Sequence, residues 1–192
     1  MNNLKRLAVY CGSAPGSNPL FADAAKETAR VMVERGVDLV YGGGRLGLMG
    51  IVADAVLDLG GRVDGVIPEA LVNLEVAHEG VTELYRVETM HERKAKMTEL
   101  ADAFLALPGG IGTLDELFEA WSWNALGYHA KPFCLLNTDG FWDGLIEFMD
   151  HATASGFLSQ QRRAQLLVAS TPHEALELLD DAAAAATQGM VW

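Results

Sequence analysis

Seven short apolar runs, each five to seven residues long, recur along this chain: "RLAVYC" (6–11), "VDLVYG" (37–42), "RVDGVIP" (62–68), "ELYRVE" (83–88), "AFLALP" (103–108), "PFCLLN" (132–137) and "LLVAS" (166–170). Their length and their β-branched or aromatic content mark them as strands. Longer segments lie between them, and in the first of these Phe21, Ala25, Thr28, Ala29, Met32 and Val33 repeat at three and four positions, the spacing of one helix face. Strands alternating with helices return in parallel, and a parallel sheet needs cover on both faces. The expected fold is α/β, a Rossmann-like three-layer sandwich with a mostly parallel sheet of about seven strands. At 192 residues the chain suits a single domain over 1–192.

Helix starts are signalled four times. Asn18-Pro19 and Thr171-Pro172-His173-Glu174 combine a capping residue with proline at the first helical position, and the second adds the Thr-x-x-Glu spacing of a capping box. The same spacing occurs in Thr89-Met90-His91-Glu92 and in Thr113-Leu114-Asp115-Glu116. The simple stretch "DAAAAATQGMVW" is expected as a fraying helix end.

Charge and composition remove several function classes. A formal charge of −12 argues against DNA or RNA as partner, because phosphate neutralisation needs clustered Lys and Arg. No stretch approaches the roughly 18 consecutive apolar residues of a membrane helix. The first apolar run ends in Gly-Ser-Ala-Pro-Gly and reads as a strand rather than a signal sequence, so a cytoplasmic location is expected. Cys11 and Cys134 lie in strand-like runs without metal-ligand neighbours and are expected as buried, reduced thiols.

Three strands lead into glycine-rich loops, the places where open parallel sheets bind ligands: "CGSAPGSN", "YGGGRLGLMG" and "PGGIGT". The second matches the dinucleotide spacing through Gly42, Gly44 and Gly47, with Asp64 about twenty residues on. Against an NAD site, this fingerprint usually follows the first strand, and Asp64 falls inside its run rather than at the end. The third loop suits a single phosphate. Gly109, Gly110 and Gly112 lack the Cβ atoms that would hold an anion off, and a helix beginning near Thr113 adds its positive end and a hydroxyl. No Walker loop and no G-x-S-x-G nucleophile turn is present.

Glu116 has two readings at this stage, the far half of a capping box with Thr113 or a carboxylate that reaches the sugar of a nucleotide. Arg93, Lys94 and Lys96 of "TMHERKAKM" likewise read either as a solvated helix face, with Glu92 and Lys96 paired, or as counter-charges for a phosphate or leaving group. His91 has no helical metal partner, since Val87 and Ala95 flank it at that spacing.

"GGGRLGLMG", "MHERKA" and "PGGIGTLDE", in that order on a chain of this length, resemble the Lonely Guy (LOG) family of cytokinin riboside 5'-monophosphate phosphoribohydrolases, over roughly residues 5 to 160. The resemblance implies hydrolysis of the N-glycosidic bond of an N6-modified adenosine monophosphate, or of AMP, with no metal or organic cofactor. It assigns Arg93 and Glu116 as the catalytic pair. Lys94, Gly109, Gly110, Ile111, Gly112 and Thr113 fall on its substrate-binding segments, and Glu75 and Ser122 are further substrate contacts by similar spacing. Gly12, Ser13, Gly43, Gly44 and Met90 are additional candidates. Members have also been labelled lysine decarboxylases, but a pyridoxal enzyme needs a desolvated Schiff-base lysine, and Lys94 stands beside Arg93. A non-catalytic nucleotide carrier or sensor on the same scaffold is the alternative. Leu114, Leu117, Phe118, Trp121, Trp123, Leu126 and Tyr128 are more apolar bulk than one helix face needs. They read either as core or as a contact between two copies, and the resemblance implies a homodimer.

Overall fold

In the computed structural model, which describes residues 3–72 and 76–188, all seven runs form strands. They are β1 (Arg6–Tyr10), β2 (Asp38–Tyr41), β3 (Val63–Pro68), β4 (Glu83–Val87), β5 (Ala103–Ala106), β6 (Phe133–Leu136) and β7 (Leu166–Ala169). Among them run α1 (Pro19–Glu34), α2 (Gly47–Asp58), α3 (Met90–Leu100), α4 (Ile111–Ala125), α5 (Asp143–Ala154), α6 (Gln160–Gln165) and α7 (Pro172–Gln188). The expected mostly parallel sheet is parallel throughout, in the order β4-β3-β2-β1-β5-β6-β7. The chain builds outward from β1 on one side, then returns to build outward on the other. β1 and β5 are therefore neighbours whose following loops part in opposite directions.

The strand period of two sorts the apolar residues into the two faces of this sheet. Leu7 and Val9 of β1, with Leu105 of β5 and Cys134 of β6, belong to a core closed by α1, α2 and α7. Ala8 and Tyr10, with Phe104, Ala106 and Phe133, belong to a second core closed by α3, α4 and α5. Both cysteines are buried as expected. In the second core the rings of Tyr10 and Phe104 stack with centroids 5.7 Å apart. On α1 the sequence periodicity holds, since Ala25, Thr28, Ala29 and Met32 are buried.

Three of the four expected helix caps form. Asn18 accepts from the Leu20 amide. Thr171 accepts from the Glu174 amide, and the Glu174 carboxylate accepts from the Ser170 amide. Thr89 and Glu92 make a reciprocal box. The fourth does not form: α4 begins at Ile111 with Gly110 as its N-cap, so Thr113 is its third residue and Glu116 its sixth. The glycine turn lets the helix start earlier than the Thr-x-x-Glu spacing suggests. The Thr113 side chain instead packs under Gly109, where an added Cβ would lie 2.1 Å from its hydroxyl oxygen. The alanine-rich C-terminal stretch is helical through Gln188, and its last four residues lie outside the described ones.

Thr89→Ala should lower stability by about 1 kcal/mol, the usual loss for an N-cap hydroxyl, seen as a fall in the urea midpoint with an unchanged slope.

Candidate active site

Beyond the parting ends of β1 and β5, backbone contacts stitch the three glycine loops together. The Gly12 amide donates to the Pro108 carbonyl at 3.1 Å, and the Leu48 amide, at the start of α2, donates to the Gly12 carbonyl at 3.0 Å. Gly47 has φ +61°, and a Cβ there would lie 2.3 Å from the Ser13 carbonyl carbon, so no larger residue fits. A cleft of about 360 Å³ opens at this junction, within the range of small-molecule sites. Its walls come from Gly12 and Ser13, from Met49 of α2 and Leu71, from Met90 and Arg93 of α3, and from Gly110 with residues 111–113, Asp115 and Glu116 of α4. A smaller cavity of about 280 Å³ lies alongside and shares Gly12, Ser13 and Gly110.

Arg93 is only 4% exposed. Its Nε donates to the Val66 carbonyl at 3.2 Å and one terminal nitrogen donates to the Gly42 carbonyl at 2.7 Å, while the other lies 3.7 Å from the Met90 sulfur. Two carbonyls, one just past β2 and one within β3, thus fix the guanidinium plane in the cleft wall, which meets the requirement that a buried charge be hydrogen-bonded. A Cβ on Gly42 would sit 2.2 Å from this guanidinium. The sequence reading missed Gly42. Its signal was the first of three consecutive glycines, which the dinucleotide spacing drew toward another explanation.

On the facing side, the first turn of α4 presents its amides to the cleft. A helix leaves its first N–H groups without intrahelical partners, and the Leu114 amide is the one that returns to the Gly110 carbonyl at 3.1 Å. Among the described residues, nothing beyond the immediate chain neighbours and the helix's own backbone lies within 4 Å of a Cβ placed on Gly110 or Gly112. The fold does not demand glycine at either position, and the room they leave opens onto the cleft. Ile111, 85% exposed, stands at the rim. Glu116 lines the cleft one turn further in. Cys11 is part of the same wall, but burial, and then the Glu116 carboxylate, push its thiol well above the usual range, so it stays protonated and un-nucleophilic.

Several expected residues stand elsewhere. Lys94 does not line the cleft; its ammonium pairs with Asp115 and Glu119, each at 3.1 Å. Gly43 packs toward Ile67 and Leu84 with φ +74°, and Gly44 forms an antiparallel bridge with Ala77, so both shape the loop rather than the cleft. Ser122 lines a separate groove of about 240 Å³ with Phe118 and Trp121. Six residues past Glu116 is about 120° away around a helix, which turns it from the cleft within the one chain. Glu75 lies outside the described residues. Asp64 is buried near the amino end of β3 and pairs with Arg62 at 2.7 Å, far from the carboxyl ends where a ribose would be held. Among the described residues no cluster of three or more His, Cys, Asp or Glu is placed to hold a metal ion.

The fold is a Rossmann-type α/β sandwich with a cleft at its topological switch point. The chain belongs to the Lonely Guy family, whose family model, described as "Possible lysine decarboxylase", matches residues 49–179. It is 48% identical over 191 residues to the cytokinin riboside 5'-monophosphate phosphoribohydrolase LOG of Oryza sativa subsp. japonica, covering 100% of this chain and 79% of that protein. To the phosphoribohydrolase LOG2 of Arabidopsis thaliana it is 46% identical over 180 residues, covering 94% and 84%. Among solved structures, the molybdenum cofactor carrier protein of Chlamydomonas reinhardtii superposes with a TM-score of 0.72 at 18% identity, over 94% of this chain and 98% of that one. The molybdenum cofactor binding protein of Rippkaea orientalis gives 0.69 at 22%, over 92% and 96%. At these identities the two share the fold alone with this chain.

Gly112→Ala should fold with unchanged or slightly raised stability, by up to about 1 kcal/mol for a helical Gly to Ala change, whereas Gly110→Ala, at the N-cap, should lose about 1 kcal/mol or less. Both should weaken phosphate-ligand binding, measured by calorimetry with ribose 5-phosphate. An affinity equal to that of wild type would remove the glycine turn from the site.

Proposed function

We propose that this protein hydrolyses the N-glycosidic bond of N6-modified adenosine 5'-monophosphates, and of AMP, releasing the free base and ribose 5-phosphate. The observation that carries the proposal is that Glu116, on a helix that starts at Ile111 rather than at a Thr113 box, lines the same cleft as the buried Arg93. The names of the relatives, at 46–48% identity over nearly the whole chain, support the substrate class.

In this reaction water adds to the anomeric carbon, the bond to the purine nitrogen breaks, and that nitrogen leaves with the electron pair and gains a proton. The phosphate would sit on the amides of residues 111–113, in the space that Gly110 and Gly112 leave open, and the helix end favours its charge. Anchoring the phosphate fixes the ribose. Glu116 then accepts from ribose hydroxyls and stabilises positive charge developing at the anomeric carbon, the problem that glycosidases also solve with carboxylates. Arg93, held rigid by the Gly42 and Val66 carbonyls, orients Glu116 and offsets negative charge on the departing base. Glu75 is a further substrate contact on the family resemblance.

The protein acts as a single domain in the cytoplasm and as a homodimer. The groove lined by Phe118, Trp121, Met149 and Leu158, with Leu126, Phe148 and Phe157 exposed nearby, supports the second copy. Leu117 and Trp121 are core residues, whereas Leu126 and Tyr128 are 66% and 74% exposed, so the apolar surplus of this helix divides between the two readings. Sedimentation should report the mass of two chains, and a single-chain mass would remove the dimer.

Incubation with AMP and with isopentenyladenosine monophosphate should release free base, and NAD should not bind. Tight AMP binding without release would favour the carrier reading. Glu116→Gln should fold normally and lose base release, and Arg93→Ala should lower turnover by at least ~10²-fold, the scale for one electrostatic contact in a transition state.

A further inference from the structure

Arg93 and Glu116 belong to different helices, so their relative position depends on what holds α3 to α4. On α3 the buried residues are Arg93, in the cleft wall, and Met97, which shares the second core with Leu117 of α4. Sequence neighbours of the pair supply another connection. Lys94 follows Arg93 and Asp115 precedes Glu116, and the Lys94 ammonium lies 3.1 Å from the Asp115 carboxylate and 3.1 Å from Glu119. Asp115 and Glu119 are one turn apart on the same face of α4, so the lysine spans that face. The Lys94 and Glu119 side chains are 13% and 17% exposed, which shields the contact from the screening that weakens surface pairs. Burial, which would lower the Lys94 pKa, is outweighed by the bonds to Glu119 and Asp115, so the pKa is raised and the group stays charged. His91, one turn before Lys94, brings its Nδ1 to 3.8 Å from the same Glu119 oxygen.

We propose that Lys94 is a positioning residue for the reaction, a clamp through Asp115 and Glu119 that fixes the separation of Arg93 and Glu116. This differs from the phosphate contact that the family resemblance implies for it, and it rests on the proposed function. An ammonium saturated by two carboxylates has little charge to offer a phosphate, whereas a shift of about 1 Å between groups that act together can cost ~10²-fold in rate.

The test separates the two roles by kinetics with AMP and by calorimetry with ribose 5-phosphate. For Lys94→Met the clamp predicts a fall in kcat of about tenfold or more, with KM and the ribose 5-phosphate Kd within about twofold of wild type. Glu119→Gln, which leaves the Lys94–Asp115 contact, should lower kcat less than Lys94→Met, and the double variant should be no worse than Lys94→Met, which has already lost the Lys94–Glu119 contact. A tenfold rise in KM and Kd with kcat kept, or fully additive losses, would overturn the clamp. If Lys94→Met does not fold, Glu119→Gln and Asp115→Asn make the same comparison from α4. Wild-type protein that releases no base would sink the functional reading instead. The clamp is then judged by the melting temperatures of the Lys94 and Glu119 variants, where additive shifts overturn it.

Discussion

The burial of one guanidinium organises this molecule. A charge withdrawn from water and left unpaired costs several kcal/mol, so Arg93 can occupy the cleft wall only where fixed acceptors meet it. The Gly42 carbonyl, just past β2, and the Val66 carbonyl, within the adjacent parallel strand β3, are such acceptors. Their use has consequences along the chain: position 42 must lack a side chain, β2 and β3 must keep their register, and α3 must begin where Thr89 and Glu92 start it. The arginine is therefore as much a structural tie between sheet and helix as a functional group. That tie holds its plane still before any ligand arrives, which is the preorganisation that electrostatic catalysis requires.

Two identical sequence signals lead to different outcomes in this fold, and the difference is functional. Thr89-x-x-Glu92 becomes a closed capping box, with both side chains turned to backbone amides at the helix end. Thr113-x-x-Glu116 does not, because the preceding glycines let the chain turn into a helix at Ile111. Thr113 is then 3% exposed beneath Gly109 and Glu116 faces the cleft. The glycine turn thus sets where α4 starts, and with it which residues of the helix line the cleft.

Polar contacts divide the labour around the cleft. Lys94 pairs with Asp115 and Glu119 and does not line the cleft, whose positive elements are the Arg93 guanidinium and the start of α4. In an acidic chain, a few well-placed donors can still make an anion site, because backbone amides and a helix end add local positive potential without adding to net charge.

Much of the architecture was legible in the sequence. Seven apolar runs at strand length, the three- and four-residue periodicity of α1 and three helix caps are local patterns, and local sterics and burial decide them without knowledge of the rest of the chain. The three glycine loops and the motifs of the family were equally plain. Tertiary structure alone decided which glycines serve the ligand and which serve the fold: Gly110 and Gly112 face open space, whereas Gly42, Gly43 and Gly47 are demanded by Arg93, by strand β3 and by Ser13. It also decided that Lys94 belongs to Asp115 and Glu119 and that Ser122 turns away from Glu116 within the chain. The reason is distance in sequence. Gly42 and Arg93 are 51 positions apart and Lys94 and Asp115 are 21 apart, and contacts of that span form only when the parallel sheet brings separate strand ends and helices to one edge.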